Sequence, residues 1–137
     1  MTGTFKFPPS GVYLAPVDVD RLRDEAKRAG IAWFDVNLAR VGSKQEFLVA
    51  CAKALRFPEG FGRNWDALAD CLKDLYADSL LNLRHGDAFC EAAPDAYAIA
   101  LEIFHDAATY WKERGSVFLA VVDAEPDGAT LELFPAP

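Results

Sequence analysis

Apolar and polar positions along this chain switch between a period of two and a period of 3.6, and the switches mark strands and helices in turn. Gly11 to Ala15 (GVYLA) predicts a short strand. From Asp18 to Ala29, Val19, Leu22, Ala26 and Ala29 recur at helical spacing, and Gly30 stands where a helix ends. Ile31 to Val36 (IAWFDV), β-branched and aromatic, predicts a second strand. Ser43-Lys-Gln-Glu46 behind it is an S-x-x-E capping box, whose side chains satisfy the first free N–H groups of a helix burying Phe47, Ala50, Cys51, Ala54 and Leu55.

Pro58, Gly60 and Gly62 make Arg56 to Arg63 a loop, and Asn64 is placed to cap a helix running to about Ala77. Leu80 to Leu83 predicts a strand. Pro94 opens the longest helix, in which Tyr97, Ala100, Leu101, Phe104, Ala107, Ala108 and Trp111 keep helical period until Gly115. Val117 to Val122 (VFLAVV) is continuously apolar, as in a strand of a parallel sheet covered by helices. After a turn at Pro126-Asp-Gly128, Ala129 to Phe134 is expected to return as an antiparallel edge strand. Alternating strands and helices make the fold α/β, with right-handed crossovers.

A chain of 137 residues is expected to form one domain, since two cores would each bury too little surface. At 52% hydrophobic and 26% charged residues, it is neither disordered nor collagen-like. The balance of 14 Lys and Arg against 21 Asp and Glu, a net −7, argues against direct nucleic-acid binding and points to a basic partner. With no signal-type apolar segment and no apolar run near the roughly 18 residues of a membrane span, a cytoplasmic protein is expected. Cys51, Cys71 and Cys90 fit no C-x-x-C spacing and read as reduced structural thiols. His85 and His105 form no H-x-x-x-H pair and no G-x-S-x-G elbow is present, so neither a zinc site nor a nucleophile is indicated.

The segment Asn64 to Tyr76 (NWDALADCLKDLY) carries the candidate chemistry. Trp65, Leu68, Leu72, Leu75 and Tyr76 share one side of the expected helix, and Asp66, Asp70 and Asp74 form a column nearly opposite. Like charges at this spacing destabilise a helix by about 0.2–0.5 kcal/mol per pair. Only Asp66, in the first turn, is offset by the helix dipole. The plain reading of the column is a solvated face; the sharper one is a recognition surface for cations, shared with Glu59 and Phe61 on the preceding loop. Two enzymatic readings use the same residues. A phosphate cradled by Gly60-Phe-Gly62 is opposed by Asp66 and lacks a P-loop Lys-Ser/Thr, whereas Asp66 and Asp70 as Mg²⁺ ligands would make the protein a carboxylate-dependent hydrolase.

From Pro58 to Leu72 the residues PEGFGRNWDALADCL resemble the barstar family of ribonuclease inhibitors, whose signature is an aromatic, Gly, any residue, Asn, one further residue and D-A-L-x-D-C-L. The resemblance extends less sharply from Ile31 through the capped helix, and from Phe104-His-Asp106 into Val117 to Val122. It implies a small parallel three-stranded sheet flanked by helices, with possible extra strands at both ends. Within a single domain over residues 1–137, residues 31–123 would be the family core, 1–30 an N-terminal strand and helix, and 124–137 a turn and edge strand. The implied function is non-catalytic and needs no cofactor or metal: a monomer blocks a basic ribonuclease, or another cationic toxin, one to one. An immunity or adaptor protein that binds a cationic target without inhibiting a nuclease is the alternative.

Carried over by position, Asp70 is the carboxylate that occupies a phosphate subsite of the nuclease, with Asp66 beside it. Phe61 meets the enzyme's rim with Glu59 on the same loop, Asn64 shapes the turn, and Asp106 is a peripheral acidic residue on the last helix. Three positions depart from the family pattern: Gly60 replaces one of two adjacent aromatics, Ala69 replaces an aromatic contact, and Lys73 brings a cation near the acidic column. These departures bear on which partner is bound.

Overall fold

The computed structural model describes residues 5–75, 77–126 and 130–137. In chain order its elements are β1 (Gly11–Leu14), α1 (Val19–Arg28), β2 (Ala32–Asn37), α2 (Lys44–Leu55), α3 (Trp65–Leu72), β3 (Ser79–Arg84), α4 (Asp87–Ala92), α5 (Pro94–Glu113) and β4 (Phe118–Val122). All strand pairings are parallel, and the four strands lie in the order β1-β4-β3-β2. The chain therefore crosses the whole sheet through α1, from β1 at one edge to β2 at the other, and then returns strand by strand. This is the α/β sheet expected from the sequence, with β1 as the extra N-terminal strand.

Register decides what each face buries. Leu80 pairs with Leu119, and with Val121 these side chains point to one face, packed with Leu22 and Ala26 of α1 and with Tyr13, Ile31 and Phe134. Leu81, Leu83, Phe118, Ala120 and Val122 point to the other, where α2 to α5 supply Phe47, Leu48, Leu68, Leu72, Phe89 and Phe104. Covered on both sides, β3 and β4 are buried along nearly their whole length, as their continuous apolar runs require. The buried polar exceptions are both on β3: Ser79, whose hydroxyl donates to Ala77 O at 2.8 Å, and Asn82, whose amide donates to Asp35 Oδ1 on β2 at 3.0 Å.

Helix ends follow their local chemistry. Asp18 caps α1 by accepting from Arg21 N at 3.0 Å, and Gly30 follows the helix at φ +74. Ser43 Oγ accepts from Glu46 N at 3.2 Å, while the returning Glu46 Oε1 takes the N–H of Gly42, one residue earlier than the standard box.

Three parts of the structure differ from the sequence reading. The C-terminal segment does not return antiparallel: Leu133 bridges Leu14 in parallel, with Leu14 N donating to Glu132 O and Phe134 N donating to Leu14 O, both at 2.8 Å. That direction delivers Phe134 into an aromatic cluster with Phe5, Phe7 and Tyr13, at centroid distances of 6.2, 6.3 and 5.5 Å. The helix after Asn64 ends at Leu72 rather than near Ala77, because Trp111 Nε1 on α5 donates to Leu72 O at 2.9 Å and takes the carbonyl a further turn would need. Asp74 is thereby left beyond the helix, and the column shrinks to Asp66 and Asp70. Lastly, α4 has no counterpart in the sequence reading. It begins without a side-chain cap, behind His85 at φ +60, where the Asp123 carboxylate accepts from His85 N (2.7 Å) and Gly86 N (2.9 Å). Tyr76 and the 127–129 part of the expected turn and return strand lie outside the described residues.

Two buried acids make stability sensitive to alkali. Burial pushes up the Cys51 thiol from an ordinary 9.0. The Tyr97 phenol, donating to Ala124 O at 2.5 Å, is raised from 10.0 first by burial and then by Cys90, Asp123 and Asp87. Because both folded values lie above the unfolded ones, their contribution is complete below about pH 9 and is lost as pH rises further. Urea midpoints are expected to be flat with respect to these groups below that pH and to fall above it, less steeply in Tyr97→Phe; a wild-type midpoint constant to pH 11 would contradict this assignment.

Candidate functional site

The site is built on the connection from α2 to α3. Arg56 ends α2 in a left-handed conformation (φ 54), and Phe57 N still bonds back to Ala52 O at 3.0 Å. A turn closed by Phe61 N to Pro58 O (3.2 Å) follows, with Gly60 at φ +87. Phe61, expected as an exposed anchor, is half-buried and rests on Phe57 with centroids 5.0 Å apart; Glu59 is exposed beside it.

Asn64 caps α3 as its residue type predicts. Its Oδ1 accepts from Ala67 N at 2.7 Å and its amide donates to Gly62 O at 3.3 Å, which locks the loop to the first turn. Gly62 makes that approach feasible: a Cβ there would lie 3.2 Å from Asn64 Nδ2 and 3.5 Å from Ala67 Cβ. Loss of the cap in Asn64→Ala is expected to cost about 1 kcal/mol, recovered in part in Asn64→Asp, which keeps the acceptor for Ala67 N but not the donor to Gly62 O. Urea denaturation of the three proteins checks this, and identical midpoints would remove Asn64 from the cap.

On α3 itself, Leu68 and Leu72 are fully buried and Trp65 is half-buried against Phe47 (6.1 Å), with Lys44 Nζ 5.4 Å from the Trp65 ring. At about 100° per residue, Asp70 points directly away from the Leu68–Leu72 stripe, and Asp66 lies about 40° from it around the helix. Both carboxylates are exposed. Among the described residues the one ion pair is Arg28–Glu25, so no lysine or arginine neutralises either aspartate. Lys73 caps the helix C-terminus, and its ammonium lies 5.5 Å from the Tyr110 ring of α5, which Arg114 also covers at 3.5 Å.

The two carboxylates therefore sit on a helix held at both ends, by Asn64 at the start and by Trp111 at Leu72. Trp111, Tyr110 and Arg114 were not singled out by motif; a contact between α5 and the end of α3 has no local sequence signal. Cys71, between Asp70 and Leu72, has its thiol raised first by burial and then by Asp74 and Asp70. Asp106 is exposed on α5, one turn before Tyr110 and opposite the buried stripe of that helix. The structure thus brings Glu59, Phe61, Asn64, Asp66 and Asp70 onto one loop and helix, with Lys73 at the helix end and Asp106 on the neighbouring helix. No helix among the described residues is long and apolar enough to cross a membrane, and among them no three or more His, Cys, Asp or Glu side chains converge as metal ligands.

A family model described as Barstar (barnase inhibitor) matches residues 31–123, two-thirds of the chain. The match begins just before β2 and ends just after β4, leaving β1, α1 and the segment after Asp123 outside it. No curated protein matches the chain.

Proposed function

We propose that this chain, which belongs to the barstar family, is a cytoplasmic, monomeric inhibitor that binds a basic ribonuclease one to one and blocks its active site. Members of the family are inhibitors rather than enzymes, and the reading assigns no cofactor. The observation that carries it is the pair Asp66 and Asp70: exposed, side by side and, among the described residues, without an ion-pair partner. A ribonuclease cleft holds RNA phosphates with Arg, Lys and His, and fixed carboxylates replace those phosphates through charge-assisted hydrogen bonds. In this reading Asp70 is the anchor and Asp66 its neighbour. Glu59 and Phe61 meet the cleft's rim, Asn64 sets the loop's angle, and Lys73 and Asp106 lie at the periphery.

A carboxylate pair attached to a flexible segment would lose affinity to ordering on binding. Clamping α3 by Asn64 and Trp111 removes much of that cost beforehand. Opposite charges also steer the encounter, so association is expected to slow steeply with added salt.

The test is a titration of the chain into small basic ribonucleases while RNA cleavage is followed. Stoichiometric inhibition of at least one, weakening with salt, supports the proposal. Binding to a cationic protein with cleavage intact would replace it with the immunity or adaptor reading.

A further inference from the structure

The two edges of the sheet are treated differently. Beyond β1 the chain covers the end of the edge itself, since Glu132 O and Phe134 N bond to Leu14. Among the described residues β2 pairs only with β3, and no strand lies along its outer edge. Ala32 N and Leu38 N donate inward, to Asp78 O and Arg84 O, at 2.8 Å each. With a period of two, the main-chain groups of Trp33, Asp35 and Asn37 therefore face outward.

Beside this edge runs an open groove of about 780 Å³, with Asp35 and Asn37 on one wall, Val49, Ala50 and Ala54 of α2 on the other, and Arg40, Lys53 and Arg63 around it. Its charges are unequally occupied. Asp35 Oδ1 already accepts from Trp33 Nε1 and Asn82 Nδ2, both at 3.0 Å, and Glu46 Oε1 accepts from Gly42 N and Ser43 Oγ, at 3.1 and 3.2 Å. Arg40, Lys53 and Arg63 are exposed and, among the described residues, have neither an ion pair nor a side-chain hydrogen bond. In a chain of net charge −7, three cations line one groove beside a strand edge, with Val49 exposed in the same lining.

We infer that the β2 edge binds an extended acidic segment of a partner protein as a fifth strand. The outward N–H and C=O groups of Trp33, Asp35 and Asn37 would pair with its backbone. Arg40, Lys53 and Arg63 would hold its carboxylates, and its apolar side chains would lie on Val49 and Ala50. Charge selects this occupant: the three cations outnumber the two groove carboxylates, each of which already accepts two hydrogen bonds through one oxygen, and a basic segment would leave those cations uncompensated. The groove borrows Arg63 from the loop that carries Phe61 and Asn64 but does not include Asp66 or Asp70, and its test uses no ribonuclease, so its failure and that of the inhibitor reading are distinguishable.

The test uses the full chain, ¹⁵N-labelled, with the blocked peptide Glu-Val-Glu-Thr-Glu-Val-Glu as probe. Two controls are its Lys counterpart and a version with Pro at alternate positions, which cannot donate along one edge. Expected are amide shifts at Trp33 to Asn37 with the acidic probe. The combined variant Arg40→Glu, Lys53→Glu, Arg63→Glu should bind about tenfold more weakly or worse, its fold checked by near-UV circular dichroism. The Lys and Pro peptides should bind poorly. No shift at β2 with the acidic probe, undiminished binding by the folded variant, or equal binding of the Pro peptide would each overturn the inference. So would concentration-dependent β2 shifts in the chain alone, which would make the occupant a second copy.

Discussion

Replacing Asp70 with alanine is expected to weaken the complex with the basic partner by about 2–5 kcal/mol, roughly thirty-fold to several-thousand-fold in Kd. Two effects add. The charge-assisted hydrogen bonds are lost, and the partner's cations are left desolvated without a counter-ion. Because the interaction is close-range, most of the change should appear in the dissociation rate. The free protein should not suffer: the Asp70 carboxylate is exposed, makes no ion pair or hydrogen bond among the described residues, and stands four residues from a like charge, so its removal is neutral or gains about 0.2–0.5 kcal/mol. Stopped-flow binding with urea denaturation of the same variant separates the two results. Equal affinity of Asp70→Ala and the parent would remove Asp70 from the interface. Asp106→Ala, at the periphery, should cost less than about 1 kcal/mol.

The second large effect concerns the residues ahead of the family match. A fragment holding residues 31–123 alone is expected not to fold cooperatively. Leu80, Leu119 and Val121 are 0% exposed because Leu22, Ala26, Tyr13 and Phe134 cover them, and all four covering residues lie outside the match. Uncovering three such side chains forfeits about 1.5–3 kcal/mol each. Removal of β1 also strips the pairing along β4, from Gly11↔Leu119 to Leu14↔Val122. The loss is comparable with the whole 5–15 kcal/mol stability typical of a domain. A milder form is Leu22→Ala, expected to cost about 2–5 kcal/mol in urea denaturation. A fragment with native-like near-UV circular dichroism and a sharp thermal transition would show that this sheet face does not need its cover.

What the sequence disclosed depended on how local the cause was. The strands around Val36, Leu81 and Ala120 and the cap residues Ser43 and Asn64 follow from neighbouring residues, and each was legible. The end of α3 was not, because Trp111, thirty-nine positions from Leu72, decides it. The same holds for α4, whose entry is set by Asp123 across thirty-seven or more positions, and for the C-terminal segment, whose direction is set by where Phe134 finds its aromatic neighbours. Of the candidate site, the opposition of Asp66 and Asp70 to Leu68 and Leu72 was plain in the helical period. That Phe61 would lie half-covered on Phe57 was not, since loop conformation has no period to read. Arg40, Lys53 and Arg63 come from a loop, a helix and a second loop, and no motif joins them.

Fixing α3 at both ends has a consequence for engineering. The spacing and aim of its two carboxylates depend on Asn64 and Trp111 and not on the exposed side chains of Pro58 and Glu59, so those two positions are free to be randomised while Gly60 at φ +87 and the packed Phe57 and Phe61 keep the loop in place. A library confined to those positions would sample new specificities on a constant electrostatic base, whereas one that touched Trp111 would scramble the base itself.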